Sequence, residues 1–239
     1  MNRRAIAVAV IVAVAVTVTA AFIYFMIPRN TSQPPTNIEN VGGKYNATIS
    51  SWTGKDYANL KYTDETGTHS EMYFSLKMRN GLDWIRNNTP ENATFLCWWD
   101  DGHMIKGYAE RNVVVRNPSQ EILNSVANPS GVTEFDSHER ILDVATAFTT
   151  NNTAEMLQIM EQYGATYVFV SVDLFNRGGS CWIYTASGLD WTQYLARTDS
   201  TWEFTEAGIQ TMFARLIENR DTGLTLAYQD ETMKVYKKD

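Results

Sequence analysis

The sequence predicts an α/β fold, with a mixed α+β arrangement as the alternative, in which one N-terminal transmembrane helix carries one extracytoplasmic globular domain. Three observations predict this organisation. Residues 5–27 are almost entirely apolar. Later segments repeat apolar residues at helical spacing, and two short apolar runs, 94–99 and 167–170, have the composition of strands. Helices that alternate with such strands indicate a small sheet flanked by helices.

The apolar run from Ala5 to Ile27 predicts a signal anchor that crosses the cell membrane once. At about 1.5 Å of rise per residue, a helix of this length spans a bilayer core of ~30 Å. Arg3 and Arg4 precede the run, so the positive-inside rule leaves residues 1–4 in the cytoplasm and places the domain outside. A cleaved signal peptide is the alternative, but its apolar region is normally shorter.

The rest of the chain divides into a tether with an extension, residues 28–69, and a globular domain, residues 70–239. The first part of the tether, to about residue 43, is rich in Pro, Asn, Thr and Ser, which is typical of a linker. Residues 45–67 mix aromatic and turn residues, and the pattern leaves open whether they form strands.

Helical periodicity predicts four helices in the domain. The first is capped by Ser70, runs to about Asn87 and carries four apolar residues on one face: Phe74, Met78, Leu82 and Ile85. The second covers residues 138–148, with four apolar residues inward: Ile141, Leu142, Ala145 and Phe148. The third is capped by Thr153 and ends at Gly164, and the fourth covers residues 205–217.

Short apolar runs predict the strands. They cover residues 94–99, 113–115 and 167–170, and a hairpin closes the chain at residues 224–236. The run 167–170 is apolar at every position, which indicates burial on both faces. Pro-containing breakers at 117–119 and 128–131 predict a loop or short helix, and residues 173–188 are predicted to be irregular.

Charge and sequons restrict the class of partner. The formal net charge of −7 excludes a nucleic-acid partner, because binding phosphates requires concentrated Lys and Arg. Five Asn-x-Ser/Thr sequons agree with exposure outside the cell and are candidate glycosylation sites: Asn30, Asn46, Asn87, Asn92 and Asn151. Chance occurrence of this short motif is the alternative reading.

Two cysteines, Cys97 and Cys181, leave a further question open. A disulfide between them would suit an extracellular domain. The alternative is a buried free thiol at Cys97, which lies inside an apolar run.

The central stretch is Cys97-Trp98-Trp99-Asp100-Asp101-Gly102-His103. It places two indoles and two carboxylates at the end of a predicted strand. Indole N–H groups donate hydrogen bonds and carboxylates accept them, so this position can hold a small polar group against an apolar wall.

This stretch and its surroundings resemble the soluble C-terminal domain of the oligosaccharyltransferase catalytic subunit family, especially its archaeal members. That family carries a WWDYG signature after a helix that ends in an NTP turn, and a YVLV-like strand follows later. The corresponding segments here are Trp98-Trp99-Asp100-Asp101-Gly102, Asn88-Thr89-Pro90 and Tyr167-Val168-Phe169-Val170. The resemblance covers residues 70–173.

The resemblance implies a peptide-binding role for the pentad Trp98, Trp99, Asp100, Asp101 and Gly102. In the family, the two Trp and the Asp hold the hydroxyl of the acceptor sequon. Asp101 stands where the family has Tyr, and a second carboxylate is expected to repel Asp100 and raise one of the two pKa values. The family's second motif is matched poorly, by three residues around Gly178-Gly179: Asp173, Asn176 and Ser180.

Other interpretations compete with peptide binding. The Trp pair can fill the core, and Asp100-Asp101-Gly102 can form a simple turn. His103 and His138 near acidic residues suggest a metal, but their spacing matches no ligand pattern, and no metal or other cofactor is predicted. No nucleophile constellation is recognisable, so no residue is predicted to be catalytic.

The family's catalysis resides in a multi-spanning membrane domain, which this chain is predicted to lack. Three functions follow. The first is a membrane-anchored domain, non-catalytic alone, that binds Asn-x-Ser/Thr peptide in connection with protein N-glycosylation. The second is a split transferase subunit that needs a separate multi-spanning glycosyltransferase as partner. The third is a structural cell-surface domain with a vestigial pocket.

Overall fold

The computed structural model describes residues 35–116, 137–199 and 201–239, except for the side chains of residues 71–73, 137 and 138. The predicted anchor, the Asn30 sequon and the breakers at 117–119 and 128–131 lie outside these ranges. Among the helices in these ranges, none is long and apolar enough to cross a membrane. Residues 37–239 form one compact unit.

The first sheet is an antiparallel meander of four strands in the order β1-β2-β3-β4. Its strands are β1 (Asn37–Gly42), β2 (Ala47–Ser51), β3 (Tyr57–Asp64) and β4 (Gly67–Ser75). The strand β1 therefore lies inside the predicted tether and extension. The four strands resolve the open assignment of residues 45–67.

The strand β4 corrects the prediction of a helix from Ser70. Residues 67–75 pair with β3, a 3-10 turn follows at Leu76–Met78, and the helix α1 covers Arg79–Asn88. The predicted stripe is buried all the same: Phe74, Met78, Leu82 and Ile85 are each at most 1% exposed. Phe74 lies in the strand β4 and Met78 in the 3-10 turn that follows, so their helical spacing does not reflect a common helix.

The second sheet is the central sheet of the domain and has five strands in the order β10-β11-β7-β5-β6. Its strands are β5 (Thr94–Leu96), β6 (Asn112–Val113), β7 (Tyr167–Ser171), β10 (Thr225–Gln229) and β11 (Met233–Lys237). The strand β5 runs parallel to β6 and β7, whereas β11 is antiparallel to β7 and β10. The sheet is therefore mixed, and the domain is α+β with sheets flanked by helices.

Six further helices are described. They are α2 (Trp99–Gly107), α3 (Ser137–Thr149), α4 (Thr153–Gln162), α5 (Val172–Asn176), α6 (Cys181–Ala186) and α7 (Met212–Ile217). A short ribbon of β8 (Leu195–Arg197) and β9 (Trp202–Phe204) precedes α7.

Several helix predictions need correction. Residues 173–188 were expected to be irregular but contain most of α5 and all of α6, which Gly178 separates at a φ of +79°. The predicted helix over 205–217 is a 3-10 turn followed by α7. Asn152 rather than Thr153 caps α4, since its side chain accepts from the N–H of Ala154. Leu142 is 36% exposed instead of buried.

The second sheet divides the hydrophobic core into two layers, because successive side chains of a strand point to opposite faces. Phe95 and Cys97 face a cluster formed with the first sheet, α1 and α2. Leu96 and Trp98 face another cluster, built from α3, α4, α6 and α7. Consecutive residues at the end of β5 therefore pack into the two different core clusters.

Candidate functional site

The candidate site lies where β5 passes directly into α2. Trp98 has extended backbone angles, φ −67° and ψ 147°, and precedes the first helical residue, Trp99. The N–H of Asp101 donates to the carbonyl oxygen of Trp98 at 3.0 Å. Asp100-Asp101-Gly102 is thus the first turn of a helix and not a connecting turn, and acidic side chains are favourable there because of the helix dipole.

The two indoles pack against the same core layer. Trp98 is only 2% exposed, and Trp99 is half-buried against the cluster that contains Trp98. Their ring centroids are 6.0 Å apart, with planes tilted by 49°. Two adjacent residues of one strand would point to opposite faces, but the helix starts between them and brings both to one side.

Both indole nitrogens are buried without a hydrogen-bond partner in the part of the chain that the structure describes. A buried donor that lacks its acceptor costs about 1–3 kcal/mol. Such groups are rare in native proteins and call for an explanation. The Nε1 atoms of Trp98 and Trp99 therefore lack an acceptor among the described residues.

Asp100 and Asp101 lie beside the indoles with raised pKa values. Burial raises the pKa of Asp100 to about 7. Asp101 is only 4% exposed, and burial, together with the negative charges of Asp100 and Asp173, raises its pKa well above the usual range. This agrees with the expected repulsion between the two carboxylates. Two coupled acids in a desolvated site share protons, so the pair offers both a donor and an acceptor near neutral pH.

Asp173 joins this pair from the neighbouring strand. The strands β5 and β7 are parallel and paired, so their carboxyl ends meet at one edge of the sheet. Asp173 follows β7 in the first turn of α5, as Asp100 follows β5 in α2. The sequence signal was available, because each of the two buried strands is followed within four residues by an acidic residue.

The weak second motif is only partly assembled. Asp173 and Asn176 lie on α5, which ends before Gly178, and Ser180 lies beyond it. Ser180 is fully buried, and its hydroxyl has no partner among the described residues. The three residues therefore do not share one helical face.

Gly102 has a packing role within the pentad. A Cβ atom built on Gly102 would lie 2.2 Å from the carbonyl oxygen of Val115 and 2.7 Å from the Cα of Arg116. The missing side chain lets α2 lie against the backbone that follows β6. Gly102 therefore positions the first turn of α2, which carries the two carboxylates.

No known family profile matches the chain. A protein of Methanocaldococcus jannaschii, described as a dolichyl-phosphooligosaccharide-protein glycotransferase, is 45% identical over 47 residues, which are 20% of this chain and 5% of that protein. A second glycotransferase of this description, from Pyrococcus horikoshii, is 36% identical over 59 residues, or 25% of this chain and 8% of that protein. These two homologues of the chain are archaeal oligosaccharyltransferases.

The fold agrees with this relationship. The C-terminal globular domain of an oligosaccharyltransferase from Archaeoglobus fulgidus matches 70% of this chain and 100% of its own length, with a TM-score of 0.51 and 20% identity. The chain therefore has the fold of the oligosaccharyltransferase C-terminal domain. The segments matched in the two curated relatives span less than a tenth of their lengths.

The remaining polar residues that the structure describes in this oligosaccharyltransferase-like domain do not extend the site into a metal centre. His103 is 2% exposed, and burial lowers its pKa to about 4, so its ring is neutral at physiological pH. Within the described ranges, no group of three His, Cys, Asp or Glu side chains could hold a metal ion. The side chain of His138 lies outside those ranges.

The structure decides between the two alternatives for the cysteines, because Cys97 and Cys181 are both free. Cys97 is buried on the first-sheet side of the central sheet, and its Sγ lies 3.7 Å from the carbonyl oxygen of Val115. Cys181 begins α6 and packs against the cluster on the opposite side. The central sheet separates the two thiols.

Four sequons lie in the described ranges, and their asparagines are all exposed: Asn46, Asn87, Asn92 and Asn151. They differ in the accessibility of the hydroxyl residue. Thr89, in the Asn87 sequon, is buried; its Oγ1 donates to the carbonyl oxygen of Ile85 at 2.7 Å and accepts from Nε of Arg111 at 2.9 Å. Its hydroxyl is therefore already used within the fold.

Proposed function

We propose that the domain binds an extended peptide of the Asn-x-Ser/Thr type at the end of β5, in connection with protein N-glycosylation. The observation that carries the proposal is the pair of buried, unpartnered indole N–H groups of Trp98 and Trp99 beside the half-buried carboxyl group of Asp100. The site therefore lacks an acceptor for two donors and offers an acceptor of its own.

A Ser or Thr hydroxyl fits these requirements. Its oxygen accepts from an indole N–H, and its hydrogen is donated to Asp100. The Trp faces form an apolar wall for the methyl group of Thr. A site with buried polar groups rejects a ligand that leaves them unpaired, so Val in place of Thr should bind much less tightly.

Two observations support the assignment to glycosylation. The matched relatives are described as glycotransferases. The resemblance of the pentad to the family's acceptor-recognition motif assigns the hydroxyl contacts to Trp98, Trp99 and Asp100. In this proposal Asp101 shares a proton with Asp100, and Gly102 sets the position of α2.

We also propose that Ala5–Ile27 anchors the domain in the cell membrane, with residues 1–4 in the cytoplasm and the domain outside. The proposal rests on the apolar length of this segment and on Arg3 and Arg4 before it. Protease treatment of intact and permeabilised cells tests it. A domain that is protected in intact cells, or that is released from membranes by carbonate, contradicts the proposed anchor.

Peptide titration tests the binding function. Fluorescent peptides that contain Asn-Ala-Thr or Asn-Ala-Val are titrated with residues 35–239 by anisotropy. We expect the Thr peptide to bind at least about tenfold more tightly, which corresponds to one lost hydrogen bond to a charged or buried group. Equal affinities for the two peptides would contradict the proposed function.

Two variants make the titration specific. Asp100→Ala should remove the preference for Thr over Val while the domain stays folded, because Asp100 is half-buried at a helix terminus. Glu203→Gln is the matched control, since Glu203 is an exposed carboxylate on β9, away from the pentad in sequence. The control should keep the full preference.

A second candidate is the acceptor-binding part of a two-component transferase. It rests on the description of the matched relatives as glycotransferases. The partner would be a multi-spanning glycosyltransferase. Crosslinking in native membranes should then join the two proteins, whereas glycan transfer by the purified chain alone would contradict a need for the partner.

A further inference from the structure

A groove lies beside β6, which is the edge strand of the central sheet in the part of the chain that the structure describes. It consists of two adjoining cavities of about 450 and 340 Å³, which share Glu65, Lys106 and Asn112 as lining residues. No residue of the pentad Trp98–Gly102 lines either cavity. The groove is therefore a surface separate from the proposed peptide site.

The lining of the groove is basic, although the chain carries a formal net charge of −7. Its cationic side chains are those of Lys44, Lys106, Arg116 and Arg140. Its carboxylates are those of Asp64 and Glu65. Against the effect of burial, hydrogen bonds from Thr66 and the charge of Arg116 lower the pKa of Asp64 to about 2. Asp64 therefore stays ionised and balances Arg116, with which it forms an ion pair.

Glu65 occupies a place that the carboxylate of a ligand could take. Lys106 is only 6% exposed, and its Nζ lies 2.8 Å from a carboxylate oxygen of Glu65. The side chain of Glu65 is 64% exposed and belongs to the turn between β3 and β4. An exposed side chain on a turn can move aside, whereas the desolvated ammonium of Lys106 stays in place and attracts an anion more strongly than an exposed one would.

A second ammonium group lies close to that of Lys106. The Nζ atoms of Lys44 and Lys106 are 5.1 and 5.0 Å from the centroid of the same ring, that of the buried Tyr45. Lys44 is exposed and forms no ion pair within the described ranges. Two ammonium groups that line one cavity offer charge-assisted hydrogen bonds to a carboxylate.

A third cation, Arg140, lines the other cavity from α3. Its Nη1 donates to the carbonyl oxygen of Val114 at 2.9 Å, and its guanidinium lies 5.3 Å from the centroid of the Tyr163 ring. Asp143, which accepts from the Tyr163 hydroxyl at 2.6 Å, does not line the groove. Since a guanidinium has several N–H donors, Arg140 is held in place and can still bind a carboxylate.

The strand β6 itself offers backbone groups to the groove. The N–H groups of Asn112 and Val114 donate to the carbonyl oxygens of Ala93 and Phe95, on the side of β5. Because the peptide groups of successive strand residues point to opposite sides, the N–H and carbonyl of Val113 point away from β5, into the groove that Val113 lines. An extended peptide can pair with these two groups.

We propose that this groove binds an extended acidic peptide segment, which pairs with Val113 and places its carboxylates on the cations beside β6. One carboxylate replaces Glu65 on Lys106, next to Lys44, and another binds Arg140. Cations in two adjoining cavities, together with the free edge of a strand, fit an extended peptide better than a single anion. Glu65 is then an internal competitor of the ligand.

The experiment uses the full-length chain, purified in a nonionic detergent. Fluorescent peptides of alternating Glu and Val, Gln and Val, or Lys and Val, none of which contains a sequon, are titrated by anisotropy. Affinity should fall in the order Glu, Gln, Lys, with at least about a tenfold difference between Glu and Gln, because several carboxylate–cation pairs contribute. The net charge of −7 alone would give the reverse order.

Substitutions of the cations assign the preference to the groove. Lys44→Gln, Arg140→Gln and Lys106→Met should each lower the Glu-to-Gln affinity ratio at least about twofold. Lys44 is exposed, so its variant is informative even if Lys106→Met unfolds. Lys55→Gln is the matched control, since Lys55 is an exposed lysine in the turn at the opposite end of β2 from Lys44.

Removal of the internal competitor gives a test of opposite sign. Glu65→Gln should tighten binding of the Glu peptide at least about twofold, because it frees Lys106. Glu203→Gln removes an exposed carboxylate from β9, which does not line the groove, and should leave the affinity unchanged.

N-methylated peptides test the pairing with β6. Methyl groups on the nitrogens of all Glu residues or of all Val residues remove alternate N–H donors. Only one of the two sets faces Val113, so the two methylated peptides should differ in affinity at least about twofold. Equal affinities of the two would overturn the proposed strand pairing.

The other outcomes are equally decisive. Equal binding of the Glu and Gln peptides overturns the proposed acidic ligand, as does an equal loss in Lys44→Gln and Lys55→Gln, or binding to Glu65→Gln that is no tighter than binding to Glu203→Gln. Displacement of the Glu peptide by inorganic phosphate at an equal concentration would assign the groove to single anions and overturn the peptide. Because the peptides contain no sequon, none of these results depends on the site at Trp98 and Trp99.

Discussion

Arg111 donates two hydrogen bonds to Thr89. Its Nε donates to the Thr89 hydroxyl at 2.9 Å, and its Nη2 donates to the Thr89 carbonyl oxygen at 2.8 Å. Arg111 immediately precedes β6, and Thr89 is the C-cap residue that follows α1. The pair therefore fixes the turn that leads into β5, the strand that delivers the site residues.

Arg111→Met should destabilise the domain by about 3 kcal/mol, because it leaves buried carbonyl groups without a donor. Arg111 is 5% exposed and donates to Ala109 as well as Thr89. Urea denaturation followed by tryptophan fluorescence measures the change. Arg197→Met is the control on an exposed strand and should cost less than about 1 kcal/mol; equal losses in the two variants would contradict the role of Arg111.

The Asn87 sequon should be a poor acceptor once the domain has folded. The Thr89 hydroxyl, which an acceptor site would need, is buried and engaged both as donor and as acceptor. The Asn46 and Asn151 sequons have half-buried hydroxyl residues, Thr48 and Thr153, and should be modified more readily.

Mass spectrometry of the folded domain after in vitro glycosylation checks the expectation. Occupancy at Asn87 should be lowest among these three sites. Urea-unfolded protein serves as the control, since unfolding frees Thr89 and should bring Asn87 to the level of the others. High occupancy at Asn87 in folded protein would show that the Thr89 hydrogen bonds open easily.

Gly102→Ala should destabilise the domain by about 1–3 kcal/mol and weaken peptide binding, since the new methyl group would clash with the backbone of Val115. Gly81→Ala is the matched control in α1. Its added methyl group meets the flexible end of the Met233 side chain, which can move, and Ala favours a helix by about 1 kcal/mol over Gly. Thermal melts should show the larger loss for Gly102→Ala; the reverse order would refute the packing argument.

Asp100 should make the domain less stable as pH rises from about 4 to about 7. Burial raises the pKa of Asp100 from 3.8 to about 7, so the folded state holds a proton over this interval that the unfolded state releases. The stabilisation from this proton is complete below the unfolded pKa and is lost as pH approaches the folded pKa.

Asp100→Asn should therefore raise the free energy of unfolding at pH 7 and flatten its decline between pH ~4 and ~7. Denaturant melts across this pH range measure the slope, with Glu203→Gln as control. A gain in stability together with weaker binding of the Thr peptide would fit a residue kept for function at a cost in stability. An unchanged slope would mean that Asp100 is better solvated than its surroundings indicate.

Prediction from sequence succeeded where the local pattern of apolar and turn residues matched the burial and strand pairing in the structure. The uniformly apolar run 167–170 gave β7, which is buried at every position. The spacing around Asp230 gave the hairpin of β10 and β11. The prediction failed at Ser70. The apolar residues from Phe74 onward have helical spacing, but residues 67–75 form a strand because they pair with β3.

The sequence by itself determined the two Trp, the two Asp and the Gly of the site, their position after a buried strand and their resemblance to a family motif. Only the tertiary structure decided that a helix begins at Trp99, that both indoles face one core layer, and that Asp173 joins Asp100 and Asp101. The physical reason is that side-chain periodicity is local, whereas burial and the coupling of charges depend on strands that are distant in the chain but adjacent in the sheet.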